Sequence, residues 1–225
     1  MSEPREEVLH AVDVAVVMSA RNEERYIERA LRSCVAQSLE ASAFEIIVVD
    51  DASSDATARI AERFDVQLLR NERQLGLPAS INRAVRAAQA RYVVRVDADD
   101  YIHNDFLRVL RLFLDLNPYM HAIACDYLLV DENEEHLEHV DSSAEPIGCG
   151  IMFRKDRLIE IGLYDESFLM AEEVDLRMRF EKHWPMHRCE LPLYRYRRHG
   201  ENMTGSQAEY EHHKERARRK NRESE

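Results

Sequence analysis

The sequence predicts an α/β fold built on a Rossmann-like, doubly wound, mostly parallel sheet. Three observations predict it. Between residues 11 and 117, short apolar runs rich in β-branched residues alternate four times with segments of helical periodicity. Acidic clusters stand at the exits of two of those runs, where an open parallel sheet presents its ligand crevice. The chain has 225 residues, 45% of them hydrophobic and 33% charged, which suits one soluble domain with its own core. No stretch approaches the roughly 20 apolar residues that span a bilayer.

Residues 12–18 are apolar except for Asp13 and read as the first strand. Asn22 is expected to cap the next helix, with Glu23 and Glu24 at the positive end of its dipole. Ile27, Leu31, Cys34 and Val35 follow at helical spacing. Residues 44–49 form a second strand running into Asp50, Asp51, Ala52, Ser53 and Ser54, and a helix over 56–64 follows. Residues 66–69 are a third strand and 71–77 a loop. Pro78 sits where a first helical turn accepts proline, and the helix continues over 79–90. Residues 92–96 are a fourth strand ending at Asp97, Ala98, Asp99 and Asp100. Asn104 is expected to cap a helix that stops at Asn117-Pro118.

The second half is mixed. Strands are expected over 121–130 and 147–153, with an acidic turn or mobile loop over 131–145 between them. Helices are expected over 156–161, closed by Gly162, and over 171–183, followed by a basic, aromatic stretch over 188–198. Residues 206–225 hold six Lys or Arg and five Asp or Glu with little apolar content, which reads as a solvated helix or a disordered tail. The expected organisation is one domain over 1–205, with a first half over 11–117 and a second half over 118–205, plus the tail.

The formal charge of −12 argues against a nucleic-acid binder. Only four of the 31 basic residues are lysines, consistent either with base bias or with arginines gripping phosphates. The four cysteines form no C-x-x-C pair, so no zinc knuckle is expected. Residues 1–8 lack an apolar signal region, so a cytoplasmic protein with reduced thiols is expected. Hard divalent cations bind carboxylate oxygens and bridge them to phosphates, a task an Asp-x-Asp at a strand exit suits. A phosphoacceptor receiver domain would also place acids there, but it needs an early lysine, and the first lysine is Lys155.

The order of the motifs is more specific than any one of them. Val16 to Glu24, Ile46 to Asp55, Gly76 to Asn82 and Val96 to Asp100 are followed by Gly148 to Lys155 and Gly162 to Glu166. Ala171 to Leu176 and Tyr196 to His199 complete the series. Together, over about residues 12–204, the chain resembles the family 2 glycosyltransferases, which have the GT-A fold. The resemblance implies an inverting, hexosyltransferase-type enzyme that moves a sugar from a nucleotide diphosphate sugar, UDP first, to an acceptor hydroxyl. It implies Mn²⁺ or Mg²⁺ held by Asp99, with Asp100 as a second candidate ligand and His199 approaching the metal or diphosphate. It implies nucleotide contacts from Ser19, Arg21, Asn22, Glu23, Asp51, Gly76, Asn82 and Asp97, with Asp51 on the base and Asp97 on ribose or metal-bound water. Arg21 stands where many members carry an aromatic residue.

The resemblance places the catalytic base at Glu173, with Glu172 and Asp175 as alternatives. Members usually carry an aspartate there, and glutamate reaches one methylene further. The implied partners are the donor and a carbohydrate or lipid-linked acceptor, with peripheral membrane association and a homodimer left open. A sugar-nucleotide pyrophosphorylase would need a glycine-rich loop after the first strand, and Ser19-Ala20-Arg21-Asn22-Glu23 has none. The alternative reading is a non-catalytic, nucleotide-sugar-binding protein of the same fold.

Overall fold

A computed structural model describes residues 12–200 and 207–223. Strands β1 (Val14–Ala20), β2 (Phe44–Asp50), β3 (Gln67–Arg70) and β4 (Tyr92–Arg95) run parallel in the order β3-β2-β1-β4. Helices α1 (Ile27–Val35), α2 (Thr57–Ala61) and α3 (Leu77–Ala87) make the crossovers, and α4 (Phe106–Leu116) follows the short strand β5 (Tyr101–Ile102). This is the expected doubly wound half.

Beyond β4 the sheet is mixed. Strand β8 (Ile151–Arg154) pairs with β4, then β6 (Ala122–Val130), β9 (His187–Arg197) and β5 complete the row, with β6 and β9 parallel and the other neighbours antiparallel. Strand β7 (His136–Val140) pairs antiparallel with β6, so the acidic stretch expected as a loop is half of a hairpin. Its strand signal was hidden because four of its five residues face solvent.

The period of two along β1 divides the core. Val14, Val16 and Met18 face α1 and α4, packing with Ile27, Leu31, Phe106 and Leu110. Ala15 and Val17 face the opposite layer, where Ile81 and Val85 of α3 pack. Helix α5 (Lys155–Glu160) adds Leu158 to that layer, and α6 (Glu172–Glu181) adds Leu176 and Phe180. Among the described residues no helix is long and apolar enough to cross a membrane.

Helix α7 (Gln207–Glu223) takes the helical one of the two states expected for the tail, but it is docked on the body. It docks on α6, burying Ala217 and Asn221. Asn221 Nδ2 donates to Asp175 Oδ1 at 3.0 Å, and Lys220 Nζ lies 2.9 Å from the same oxygen. The helix is held by polar contacts, which composition does not reveal.

Candidate active site

Because β1, β2 and β4 are parallel, their C-terminal ends open on one edge of the sheet, and the acidic motifs collect there. They line a cleft of about 670 Å³. Its walls include Ser19, Arg21, Asn22, Glu23, Asp51, Gly76, Asp97 and Asp99 from the first half, and Glu172, Glu173, Tyr196 and Tyr210 from later in the chain.

The two loops at the top of β1 and β2 are stitched together. Asn22 adopts a left-handed conformation with φ +57°, and its Oδ1 accepts from Ser54 N at 2.9 Å. Asn22 N donates to Ser53 Oγ at 3.0 Å, and Glu23 N to Thr57 Oγ1 at 2.7 Å. Asn22 therefore joins the loops instead of capping α1, which starts five residues later. Asp105, not Asn104, is the residue before α4.

Asp51 is buried beneath the third loop. It accepts from Asn71 Nδ2 at 2.7 Å, Leu75 N at 2.8 Å and Gly76 N at 2.9 Å. These donors hold its carboxyl below the usual range against the opposing effect of burial. Gly76 has φ +92°, which only glycine adopts without strain, and it starts α3. Asp51 thus sets the shape of the Gly76 loop as well as facing the cleft. Asn82 is a different case. Its side chain donates to Tyr164 O at 2.8 Å and Glu166 Oε1 at 2.9 Å, and it accepts from Tyr164 N at 2.9 Å. It ties α3 to the 164–166 turn outside the cleft, correcting its expected nucleotide contact.

The Asp97-Ala98-Asp99-Asp100 turn separates its acids by direction. Asp99 lines the cleft with Oδ2 3.0 Å from His199 Nε2, so two residues 100 apart in sequence meet as expected. Tyr26 backs the imidazole, with ring centroids 4.8 Å apart. The Asp99 carboxylate raises the His199 pKa. Burial, with the Asp99 charge second, pushes Glu23 up to about 7. Asp97 is gripped by Arg95, with Nε to Oδ1 at 2.6 Å and Nη2 to Oδ2 at 3.0 Å. Asp100 is turned inward, accepting from Tyr194 OH at 2.8 Å and Arg197 N at 2.8 Å. It anchors the turn to β9 and faces away from the cleft lining. Asp97, Asp100 and Cys149 do offer ligand atoms within 4.8 Å of one another, but their carboxylates already serve Arg95, Tyr194 and the Arg197 backbone.

Asp99 and His199 bring a carboxylate oxygen and an imidazole nitrogen to 3.0 Å, donors of the kind a divalent cation takes. Glu23 is near enough for both charges to act on it.

Glu172, Glu173 and Asp175 open α6 with three different roles. Glu172 Oε1 pairs with Arg95 Nη1 at 2.9 Å in a buried contact. Asp175 is fully buried away from the cleft, with Arg179 Nε 2.8 Å from Oδ2 and Asn221 and Lys220 on Oδ1. Glu172 lines the cleft but is engaged with Arg95, and Asp175 lies outside the cleft lining. Glu173 faces the cleft and accepts from Tyr210 OH at 2.6 Å. Burial, then the Glu172 charge, pushes it up to about 7. Gly148 lies against it, since a Cβ there would fall 3.0 Å from Glu173 Cβ and 2.9 Å from Arg95 Nη1. The four cysteines are buried, and burial pushes Cys34 up to about 12, so no thiol here acts as a nucleophile.

Residues 15–167 match the family described as glycosyl transferase family 2. The chain belongs to that family. A poly(ribitol-phosphate) β-N-acetylglucosaminyltransferase, TarS, of Staphylococcus aureus is 33% identical over 108 residues, covering 45% of this chain and 18% of TarS. The structure of S. aureus TarS residues 1–349 with UDP-GlcNAc superposes with a TM-score of 0.76 at 22% identity, covering 87% of this chain and 61% of that one. A Pyrobaculum calidifontis mannosyltransferase in complex with GDP-Man and Mn²⁺ superposes at 0.67 and 20% identity, covering 81% and 56%. The chain therefore spans less than two thirds of each of these relatives, and the likeness to the structures establishes the GT-A fold.

Family 2 membership makes four further residues of this cleft worth naming. Arg95 joins Asp97 to Glu172 and so ties the two halves together. A charged residue inside the apolar run Tyr92 to Val96 was its signal. Arg197 donates from Nε to Asp99 O at 2.8 Å, fixing the acidic turn. Gly148 was visible as part of a motif, but its contact was not. Tyr210 had no local signal at all, because its partner is 37 residues away.

Proposed function

We propose that this family 2 member transfers a sugar from a nucleotide diphosphate sugar to an acceptor hydroxyl, with inversion and with divalent-cation assistance, and that the donor is uridine-linked. One observation carries the reading. Of the three acids that open α6, Glu173 is the one neither salt-bridged to Arg95 nor buried behind the helix, and it lines the same cleft as Asp97 and Asp99.

Asp51 orders the Gly76 loop and offers a carboxylate to the ring N–H of uracil. Asp97, held by Arg95, presents an edge to ribose. Asp99, with His199 and Glu23 beside it, is the group that would hold Mn²⁺ or Mg²⁺. When bound, the ion offsets the charge that grows on the departing diphosphate. On the other side, Glu173 takes the proton of the attacking hydroxyl. A carboxyl near 7 is matched to that task at neutral pH, where general-base catalysis contributes roughly 10²–10⁴ in rate. Attack from the face opposite the diphosphate inverts the anomeric carbon in one step. Pro146, Ile147, Phe168 and Met170 on the same wall are the surface for a carbohydrate or lipid-linked acceptor. The TarS complex with UDP-GlcNAc supports a uridine donor, and the GDP-Man and Mn²⁺ complex supports a metal. Guanosine donors are the competing chemistry, because guanine also has a ring N–H.

The test is a thermal-shift screen of nucleotide sugars with and without Mn²⁺, followed by turnover of the best donor. A true donor stabilises by RT ln(1 + [L]/Kd). Glu173→Gln should lower turnover about 10²-fold or more with donor affinity unchanged. Normal turnover in that variant, with Glu172→Gln or Asp175→Asn inactive, would place the base elsewhere. Nucleotide-sugar binding without transfer to any acceptor would favour a binding protein of this fold.

A further inference from the structure

Helix α7 returns from the far end of the described chain to the wall of the cleft. At one end Tyr210 OH donates to Glu173 Oε1 at 2.6 Å. Further along, Arg216 Nη1 donates to Ser167 O at 3.1 Å, and its guanidinium lies 4.5 Å from the Phe168 ring centroid. Lys220 Nζ reaches Asp165 Oδ2 at 2.6 Å and Asp175 Oδ1 at 2.9 Å. The helix therefore grips segment 165–175 at both ends. Between those grips, Phe168, Leu169 and Met170 line the cleft, and Leu169 is 73% exposed. Ala171 then enters α6 in a left-handed conformation, φ +57°, without a side-chain cap.

A glutamate has more torsional freedom than an aspartate, so a base of this length needs an outside contact to fix it. Tyr210 supplies one. By occupying Oε1 it leaves Oε2 to receive a proton. We propose that Tyr210 is a positioning residue that fixes the Glu173 carboxylate for proton abstraction, and that α7 is the brace that delivers it. The proposal rests on the reading of Glu173 as the base.

Three groups among the described residues act on this pair. Glu172 lies beside Glu173 on α6, Arg95 approaches from β4, and Tyr196 of β9 faces Tyr210. Burial and the Glu173 charge push the Tyr210 hydroxyl well above its ordinary value, so it remains a donor throughout the working range. A donor on the carboxylate favours its charged form. Removing the hydroxyl should therefore raise the pH at which Glu173 loses its proton.

The experiment compares Tyr210→Phe, Glu173→Gln and the double variant in the full chain. Release of UDP from UDP-N-acetylglucosamine with Mn²⁺ is followed against pH. In parallel, Glu173 is titrated by NMR with ¹³C-labelled glutamate carboxyls, its signal assigned by its loss in Glu173→Gln. Tyr210→Phe should lower kcat by about tenfold with donor KM unchanged, and move the acidic limb of the profile to higher pH. It should add no further loss to Glu173→Gln. Lys220→Ala, which removes one grip of α7 but keeps the Tyr210 hydroxyl, should lower the Tm and move that limb less than Tyr210→Phe does. If Glu173→Gln turns over normally, the base reading falls and this proposal falls with it. If Glu173→Gln is inactive while Tyr210→Phe keeps parental kcat and pH profile, only the positioning role is overturned. If UDP-N-acetylglucosamine is not a donor, the NMR titration decides. An upward shift in Tyr210→Phe is required, and an unmoved Glu173 signal overturns the proposal.

Discussion

Gly148 and Asp51 show how single positions carry the account. An added Cβ at Gly148 meets Arg95 Nη1 at 2.9 Å and Glu173 Cβ at 3.0 Å. The second contact is to an atom fixed by the α6 backbone, so relief requires movement of Glu173, the proposed base. Gly148→Ala should cost about 1–3 kcal/mol from overpacking. It should also lower kcat about tenfold or more, since small misplacement of a base is costly. Chemical denaturation and steady-state kinetics would check both, and unchanged kcat would separate Glu173 from catalysis. At Asp51, replacement by alanine removes the partner of Leu75 N, Gly76 N and Asn71, so it disturbs the loop as well as base recognition. Asp51→Asn is the cleaner variant, keeping one carbonyl acceptor and removing the charge. It should erase a preference for uridine over adenine nucleotides, worth about 1.5–3 kcal/mol as a charge-assisted hydrogen bond. Calorimetry showing equal affinities in the parent protein would remove the basis for that contact.

At the scale of elements, α7 makes the clearest prediction. Asp175 is fully buried and is neutralised by Arg179 and Lys220, with Asn221 completing its hydrogen bonds. Deleting 207–223 would leave that carboxylate with a poorer set of partners. Breaking a buried ionic network costs about 3–5 kcal/mol, so the truncated chain should melt well below the parent. A Tm within a degree of the parent would show that α7 adds nothing to the body. Composition pointed the other way because the contacts of α7 are charged and its apolar burial is small. The four parallel strands and their crossovers were legible, since their periodicity is local. The acidic residues at the strand exits were legible for the same reason, and Asp99 and His199 stand side by side. The directions of Asn82 and Asp100 were not legible, because a polar residue at the right place in a motif can still point inward to the 164–166 turn or to β9. The hairpin strand β7, solvated along most of its length, left no apolar pattern to read.

At the scale of the whole molecule, the cleft stores uncompensated negative charge, which gives stability a sign with pH. Glu173 titrates at about 7 in the folded chain against 4.5 in the unfolded one. Between those values the folded state binds more protons, so stability from this group declines as pH rises from about 4.5 to 7. The full difference corresponds to about 3 kcal/mol as an order of magnitude. Glu173→Gln should flatten that part of the profile, and denaturant melts at pH 5 and pH 7.5 would show it. Asp165, held down to about 2 mainly by Lys220 against the effect of burial, loses its contribution only under stronger acid and leaves this window unaffected. The most direct measurement of the account is calorimetric titration of UDP into the parent chain and Asp99→Asn, each with Mn²⁺ and with a chelator. The account predicts tight binding only in the parent with Mn²⁺, with a large loss on chelation or substitution. Equal UDP affinity under all four conditions would contradict a metal-assisted diphosphate site at Asp99, as would a parent protein that binds no nucleoside diphosphate.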